Sequence, residues 1–219
     1  MAAITPSPDS LATKSRLMDV AERLFADHGF DAVSLRQITA EAGANLAAVN
    51  YHFGSKDRLT MAVVKRWLKP LNATRLRLLA EVEVESEKAP TVEDLAEAFV
   101  RPALELYRDS ELSRQVFFRL IGRCMLDGRQ SVSRELVEEF REVVERFGAA
   151  FGRCLPRLTP AEVTMRMMFM AGAMAHTILN IDKIAAFHGS SMVVPPTEEL
   201  VRQMVDFVAS GFAGKGEIE

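Results

Sequence analysis

The stretch from Ser34 to Lys56 reads Ser-Leu-Arg-Gln-Ile-Thr-Ala-Glu-Ala-Gly-Ala-Asn-Leu-Ala-Ala-Val-Asn-Tyr-His-Phe-Gly-Ser-Lys, and it leaves few folds open. It carries the start and stop signals of two short helices joined by a tight turn, with a third helix beginning at its end. Ser34 is a good N-cap, and Gln37 three residues on completes a capping box. Val33 and Ile38 sit where a hydrophobic staple would. Leu35, Ile38 and Ala42 give the first helix a narrow apolar face, and Gly43 suits the left-handed position that ends it. Asn45 then caps the second helix, and Ser55 after Gly54 caps the third.

In the second helix Leu46, Val49 and Phe53 fall on one side at the helical spacing, while Ala47 and Tyr51 point the opposite way, flanked by Ala48 and Asn50. A helix this short does not stand alone in water, so its apolar side must be held by neighbours. Its outer face then offers small side chains, an amide and a phenol, with no acid. Small residues admit a helix closely into a major groove, where alanine methyls meet thymine methyls and asparagine pairs with adenine. Tyr51, His52 and Lys56 are placed to reach phosphates. The same turn chemistry also describes a solvated turn between core helices, and the spacing alone leaves both readings open.

Residues 15–59 resemble the DNA-binding domain of the tetracycline-repressor (TetR) family of bacterial regulators. The resemblance is carried, without a gap, by Met18-Asp-Val-Ala-Glu-Arg-Leu-Phe-Ala-Asp-His-Gly-Phe30, Ser34-Leu-Arg-Gln-Ile38, Ala42-Gly43 and Tyr51-His-Phe-Gly-Ser-Lys-Asp-Arg-Leu59. It implies that Ser34, Arg36, Asn45, Ala47, Ala48, Asn50, Tyr51, His52 and Lys56 occupy operator-contacting positions. Asn50 departs from the family, which often has tyrosine there, and the change turns that position towards base reading. The run from Asn45 to Lys56 is most similar to the branch whose members sense fatty acids.

Charge gives weaker support. The chain of 219 residues has a net charge of −3, but the first 69 residues carry nine basic and seven acidic side chains and the remainder 18 and 23. A mildly basic head on an acidic body fits local contact with a few phosphates. Hydrophobic residues at 48% suffice for a core, while no apolar run reaches membrane-spanning length. The N-terminus lacks a basic start followed by an apolar core, so no signal peptide is expected, and with two cysteines a reducing cytoplasm is the expected location. Cys124 and Cys154 are too few for a disulfide framework or a zinc site, and small buried hydrophobes are the reading preferred over redox sensors.

The remaining chain reads as helices throughout. Residues 1–12, with Pro6 and Pro8, are expected to be a disordered arm, followed by a first helix over Thr13–His28. A long helix is expected from Ser55 to about Glu87, bent at Pro70. Running from the head into the body, it offers a mechanical route for ligand control. Thr91 starts the next helix, bent near Pro102; Ser110 starts another that Gly128 ends; Ser133 to about Leu155 follows. Thr159-Pro-Ala-Glu162 combines an N-cap, a proline at the first position and a capping box, and opens a helix to about Phe187. Thr197 to about Phe212 is the last. The expectation is therefore all-α, with a helix-turn-helix DNA-binding domain over 13–58, a larger helical ligand-binding and dimerisation domain over 59–213, and a tail over 214–219.

No catalytic constellation emerges. His28, His52, His176 and His188 are widely separated, and there is no metal-binding His-Glu-x-x-His, phosphate loop or nucleophile elbow. No enzyme activity, metal or cofactor is expected. The body's signal is apolar: Phe99, Tyr107, Phe117, Phe118, Ile121, Phe147, Phe151 and Phe169 make either an ordinary helical core or, together, the wall of a ligand cavity. Arg119, Arg123 or His176 are the positions considered for anchoring a polar head group. The family resemblance further implies that the last two long helices pack against their copies in a homodimer, here through Met167, Met170, Ala171, Met174, Met204, Phe207 and Val208. The expected partners are thus a double-stranded operator, a second copy and a small apolar effector. A fatty acid or acyl-CoA leads for that effector, with a cationic drug of the kind sensed by efflux repressors as the alternative. A helical protein-binding adaptor is the alternative from another class.

Overall fold

The computed structural model describes residues 8–85, 90–108, 117–122, 130–189 and 192–213, and the described residues are helices and their connections. They form α1 (Pro8–His28), α2 (Leu35–Glu41), α3 (Leu46–His52), α4 (Lys56–Glu85), α5 (Val92–Arg108), α6 (described over 117–122), α7 (Gln130–Cys154), α8 (Pro160–His188) and α9 (Thr197–Ala213). The all-α expectation holds. The first helix starts earlier than expected: residues 8–12 belong to α1 and not to an arm, because Pro8 stands in the first turn, where its missing N–H has no intrahelical acceptor to lose. The rest of the expected arm, residues 1–7, the tail 214–219, and Ser110, Arg123, Cys124 and Gly128 lie outside the described residues.

The chain divides into two compact units, one of residues 1–68 and 111–138, the other of 69–110 and 139–219. The division differs from the boundary expected at residue 58. The first turns of α4, together with α6 and the start of α7, belong with the head. Within the first unit Lys65 Nζ meets Glu135 Oε1 at 2.5 Å, which ties α4 to α7. The break falls beside Pro70, whose ring nitrogen cannot complete the α4 bond to the Arg66 carbonyl.

In the first unit α1, α2 and α3 pack mutually. Leu17, Ala21, Leu24 and Phe25 of α1, Ile38 of α2 and Val49 of α3 are buried together with Leu59 and Val63 of α4. Glu22, 5% exposed, is met by two partners: Trp67 Nε1 donates to it at 2.8 Å and Arg66 Nη1 at 3.1 Å, while Arg66 also reaches Asp19 at 2.7 Å. A buried carboxylate stripped of such partners costs about 3–5 kcal/mol, so this cluster fixes α1 on α4.

In the second unit α5 lies along α9, with α8 against both. Arg101 of α5 joins Glu97 and Glu105 on its own helix to Glu198 of α9 at 2.7 Å. Phe99 meets Phe147 edge-on with centroids 5.3 Å apart, and Phe151 stacks on Phe212 at 4.3 Å. The α8 start is built as its sequence requires: Thr159 accepts from the Glu162 N–H at 3.3 Å, and Glu162 returns an oxygen to the Thr159 N–H at 2.8 Å.

Candidate nucleic-acid interface

The turn between α2 and α3 has the chemistry its residues predict. The Ser34 hydroxyl accepts from the Gln37 N–H at 3.2 Å, and Gln37 Oε1 accepts from the Ser34 N–H at 2.8 Å. Val33 and Ile38 are buried, as a staple requires. Gly43 adopts φ 58°, and the Ala44 N–H closes the end of α2 by donating to the Thr39 carbonyl at 2.9 Å. A side chain at that φ would be strained. Asn45 Oδ1 then accepts from the Ala48 N–H at 2.9 Å and starts α3. Gly54, at φ 78°, ends α3 by donating to the Val49 carbonyl at 3.0 Å.

Helix α3 is held by Val49 and Phe53, both buried, each supplying about 1.5–3 kcal/mol of apolar burial. Leu46 was expected beside them but stays 44% exposed, because at the first helical position no preceding turn covers it. On the outer side Ala47, Asn50 and Tyr51 are exposed and Ala48 is half-buried; Tyr51 is 75% exposed, with His52 packed edge-on against its ring at 5.0 Å. Ser34, Arg36 and Asn45 are exposed at the neighbouring helix starts. Eight of the nine expected operator positions therefore line the outer side of α2 and α3 or its edge.

Lys56 is the ninth, and it is used differently. Its ammonium donates to the Phe30 carbonyl at 2.6 Å and lies 4.1 Å from the centre of the Phe30 ring. A cation held this way braces the α1–α2 connection.

The expected ligand residues are divided between the two units. Phe99, Phe147 and Phe151 are buried core of the second unit, and the Tyr107 hydroxyl, also there, donates to Asp182. Phe117 and Ile121 belong to the first unit, where Phe117 packs on Phe118 at 4.9 Å. Phe169 is 64% exposed and His176 is exposed, so neither lines an interior wall. Arg119 is exposed as well.

Most of the expected dimer residues are turned into the protomer. Met167, Met170 and Met174 face inward on α8 with Val163, Ile178 and Ile181, and Met204 and Val208 face inward on α9. Ala171 is half-buried and only Phe207, 66% exposed, is clearly outward. The same methionine-rich helix carries a second apolar stripe that the sequence reading passed over. Met165, Met168 and Phe169 are exposed at helical spacing, followed on that face by Gly172 and His176. Met165 and Phe169 line a groove of about 360 Å³ with Ala161, Glu162, Arg166 and Gly211.

Two further groups belong to the second unit. Cys154 is half-buried; burial pushes its thiol up, and its Sγ donates to the Pro90 carbonyl at 2.8 Å, so it behaves as a packed thiol. Arg75, not singled out by the sequence reading, is 1% exposed, and burial pushes its guanidinium down to about 9. The signal was present: Arg75 lies at helical spacing between Leu68, Leu71 and Leu79, in the inward stripe of α4.

With the geometry in hand, comparison with known proteins is direct. Residues 17–63 match the family model described as bacterial regulatory proteins, tetR family, and residues 97–211 match that of the tetracyclin repressor-like C-terminal domain. The HTH-type transcriptional dual regulator CecR of Shigella flexneri is 37% identical over 68 residues, 31% of this chain and 30% of that protein. An HTH-type transcriptional repressor of Mycobacterium tuberculosis is 30% identical over 110 residues, 49% of this chain and 59% of that one. The chain thus spans less than two thirds of these curated relatives. A crystal structure of a regulatory protein of the tetR family from Rhodococcus superposes with a TM-score of 0.65 at 13% identity, covering 90% of this chain and 95% of the other, a likeness of fold. Two matched domains, in the order and positions the helices require, together cover most of the sequence, and these relatives are regulators and not enzymes. The chain belongs to the tetracycline-repressor (TetR) family of bacterial transcriptional regulators.

Proposed function

We propose that this chain is a ligand-responsive repressor that binds a palindromic operator as a homodimer in the cytoplasm. The carrying observation is the outer side of α3, where Ala47, Asn50 and Tyr51 stand exposed and acid-free on a helix whose other side is anchored by Val49 and Phe53. That face enters a major groove, with Asn50 and the alanines on base edges and Tyr51, His52 and Arg36 on phosphates. One such head makes few phosphate contacts and binds weakly; two heads about one helical turn of DNA apart read a palindrome. The copy-to-copy surface is the outward stripe Met165, Met168, Phe169 and Phe207, a cluster of exposed large apolar side chains on α8 and α9.

The effector is a small apolar molecule taken up by the second unit, with a fatty acid or acyl-CoA as the leading class. It acts by binding the off-operator arrangement of heads more tightly than the operator-bound one, since only a difference in affinity moves the equilibrium. Helix α4, which contributes residues to both units, is the element such an effector biases. The drug-responsive alternative requires a buried acid to meet a cation. Among the described residues the buried acid, Glu22, is in the first unit and already paired, which favours the acyl class.

The test is selection of bound sites from a random duplex library, followed by titration with salt. A palindromic consensus is expected, with log Kobs falling against log salt by about 0.9 per phosphate contacted. No binding to any duplex at low salt overturns the proposal and leaves a protein-binding adaptor in its place.

A further inference from the structure

Among the described residues, Arg75 is the buried charged group of the second unit, and the DNA-binding account does not use it. Its side chain is buried, and among the described residues its partners are neutral. Nε donates to the Phe99 carbonyl at 2.9 Å, Nη1 to Asn72 Oδ1 at 3.3 Å and Nη2 to Met174 Sδ at 3.8 Å, while the guanidinium lies 4.2 Å from the Phe99 ring centre. The three contacts differ in quality. The Nε bond is short and well made. The edge formed by Nη1 and Nη2 has a long bond to an amide and a weak one to a thioether. That edge is the two-pronged fork that matches a carboxylate.

A carbonyl bond alone does not account for the residue. A neutral amide side chain caps the Phe99 carbonyl without bringing a charge out of water, and a buried charge without a counter-ion is strongly disfavoured. The loss of proton affinity caused by burial expresses the same imbalance. The surroundings suit an amphiphile. Phe99 and Phe147 form an apolar wall next to the guanidinium. Met174, on the opposing helix, is a flexible side chain whose hold on Nη2 is the weakest of the three.

We propose that Arg75 anchors the carboxylate of an apolar monocarboxylic acid, whose two oxygens take the places of Asn72 Oδ1 and Met174 Sδ on the Nη1–Nη2 edge while its tail displaces Met174 along Phe99 and Phe147. This inference rests on the ligand-responsive function proposed above and names the effector's head group. A planar carboxylate satisfies the fork with a single charge; a phosphate dianion would overcompensate one buried guanidinium.

The full-length protein is titrated by calorimetry with octanoate, dodecanoate and hexadecanoate, each beside its primary amide, and with dodecyl phosphate. Binding to a library-selected duplex is measured in parallel. At least one acid is expected to bind about thirtyfold more tightly than its amide, the effect of a charge-assisted pair, and more tightly than the phosphate. In Arg75→Met and Arg75→Gln that preference falls below about threefold while duplex binding without acid is retained. Acids no better than amides, a preference for the phosphate, or an acid preference that survives in both variants overturns the assignment. The acid-to-amide comparison in the parent needs no variant to fold. Duplex binding without acid preference removes only the role of Arg75; absence of duplex binding removes the regulator itself.

Discussion

Tyr51 keeps a large ring 75% exposed on a seven-residue helix, and burial in the protomer does not explain its position. Its removal leaves the core untouched. Tyr51→Ala is expected to weaken operator binding at least tenfold, the scale of about 1–3 kcal/mol per well-made contact, with melting temperature and oligomeric state unchanged. Equal operator affinity for variant and parent in a salt-controlled gel shift contradicts it.

Individual helices are where sequence and structure agree best, because caps are local. The Ser34–Gln37, Asn45–Ala48 and Thr159–Glu162 bonds join residues three apart and form from chain geometry alone. Thr159→Ala is expected to destabilise the protein by about 1 kcal/mol, read by denaturant midpoint at neutral pH. The loss also has a pH signature. Bonds from the Thr159 backbone and side chain hold the Glu162 carboxyl below its ordinary value. The contribution is full above the ordinary carboxylate range and disappears as pH falls through the lowered value, so parent and variant converge in acid. Helix registers were less legible. On α8 almost every turn is apolar, so periodicity does not say which of two stripes faces inward. The core took Met167, Met170 and Met174 and left Met165, Met168 and Phe169 outside.

At the scale of the whole molecule that outward stripe is the proposed contact between copies. Phe169→Glu combined with Phe207→Glu is expected to convert a dimer to a monomer in light scattering and to remove operator binding, with each protomer still helical by circular dichroism. A double variant that remains dimeric places the interface elsewhere. The sequence by itself determined the all-α class, most helix ends and the reading head, since capping boxes, left-handed glycines and a 3.6-residue period act over a few residues. Eight of the nine expected operator positions stand exposed or half-buried on the outer side of α2 and α3, because a short helix has only one unburied side. Tertiary structure alone decided that Lys56 braces Phe30, that Phe169 and His176 lie outside the core, and that the Arg75 guanidinium sits buried beside Phe99. These outcomes depend on what distant segments bring to a side chain: the Phe30 carbonyl is 26 residues from Lys56 and Met174 is 99 from Arg75. A long side chain settles on the partner nearest in space, and local pattern carries no record of that distance.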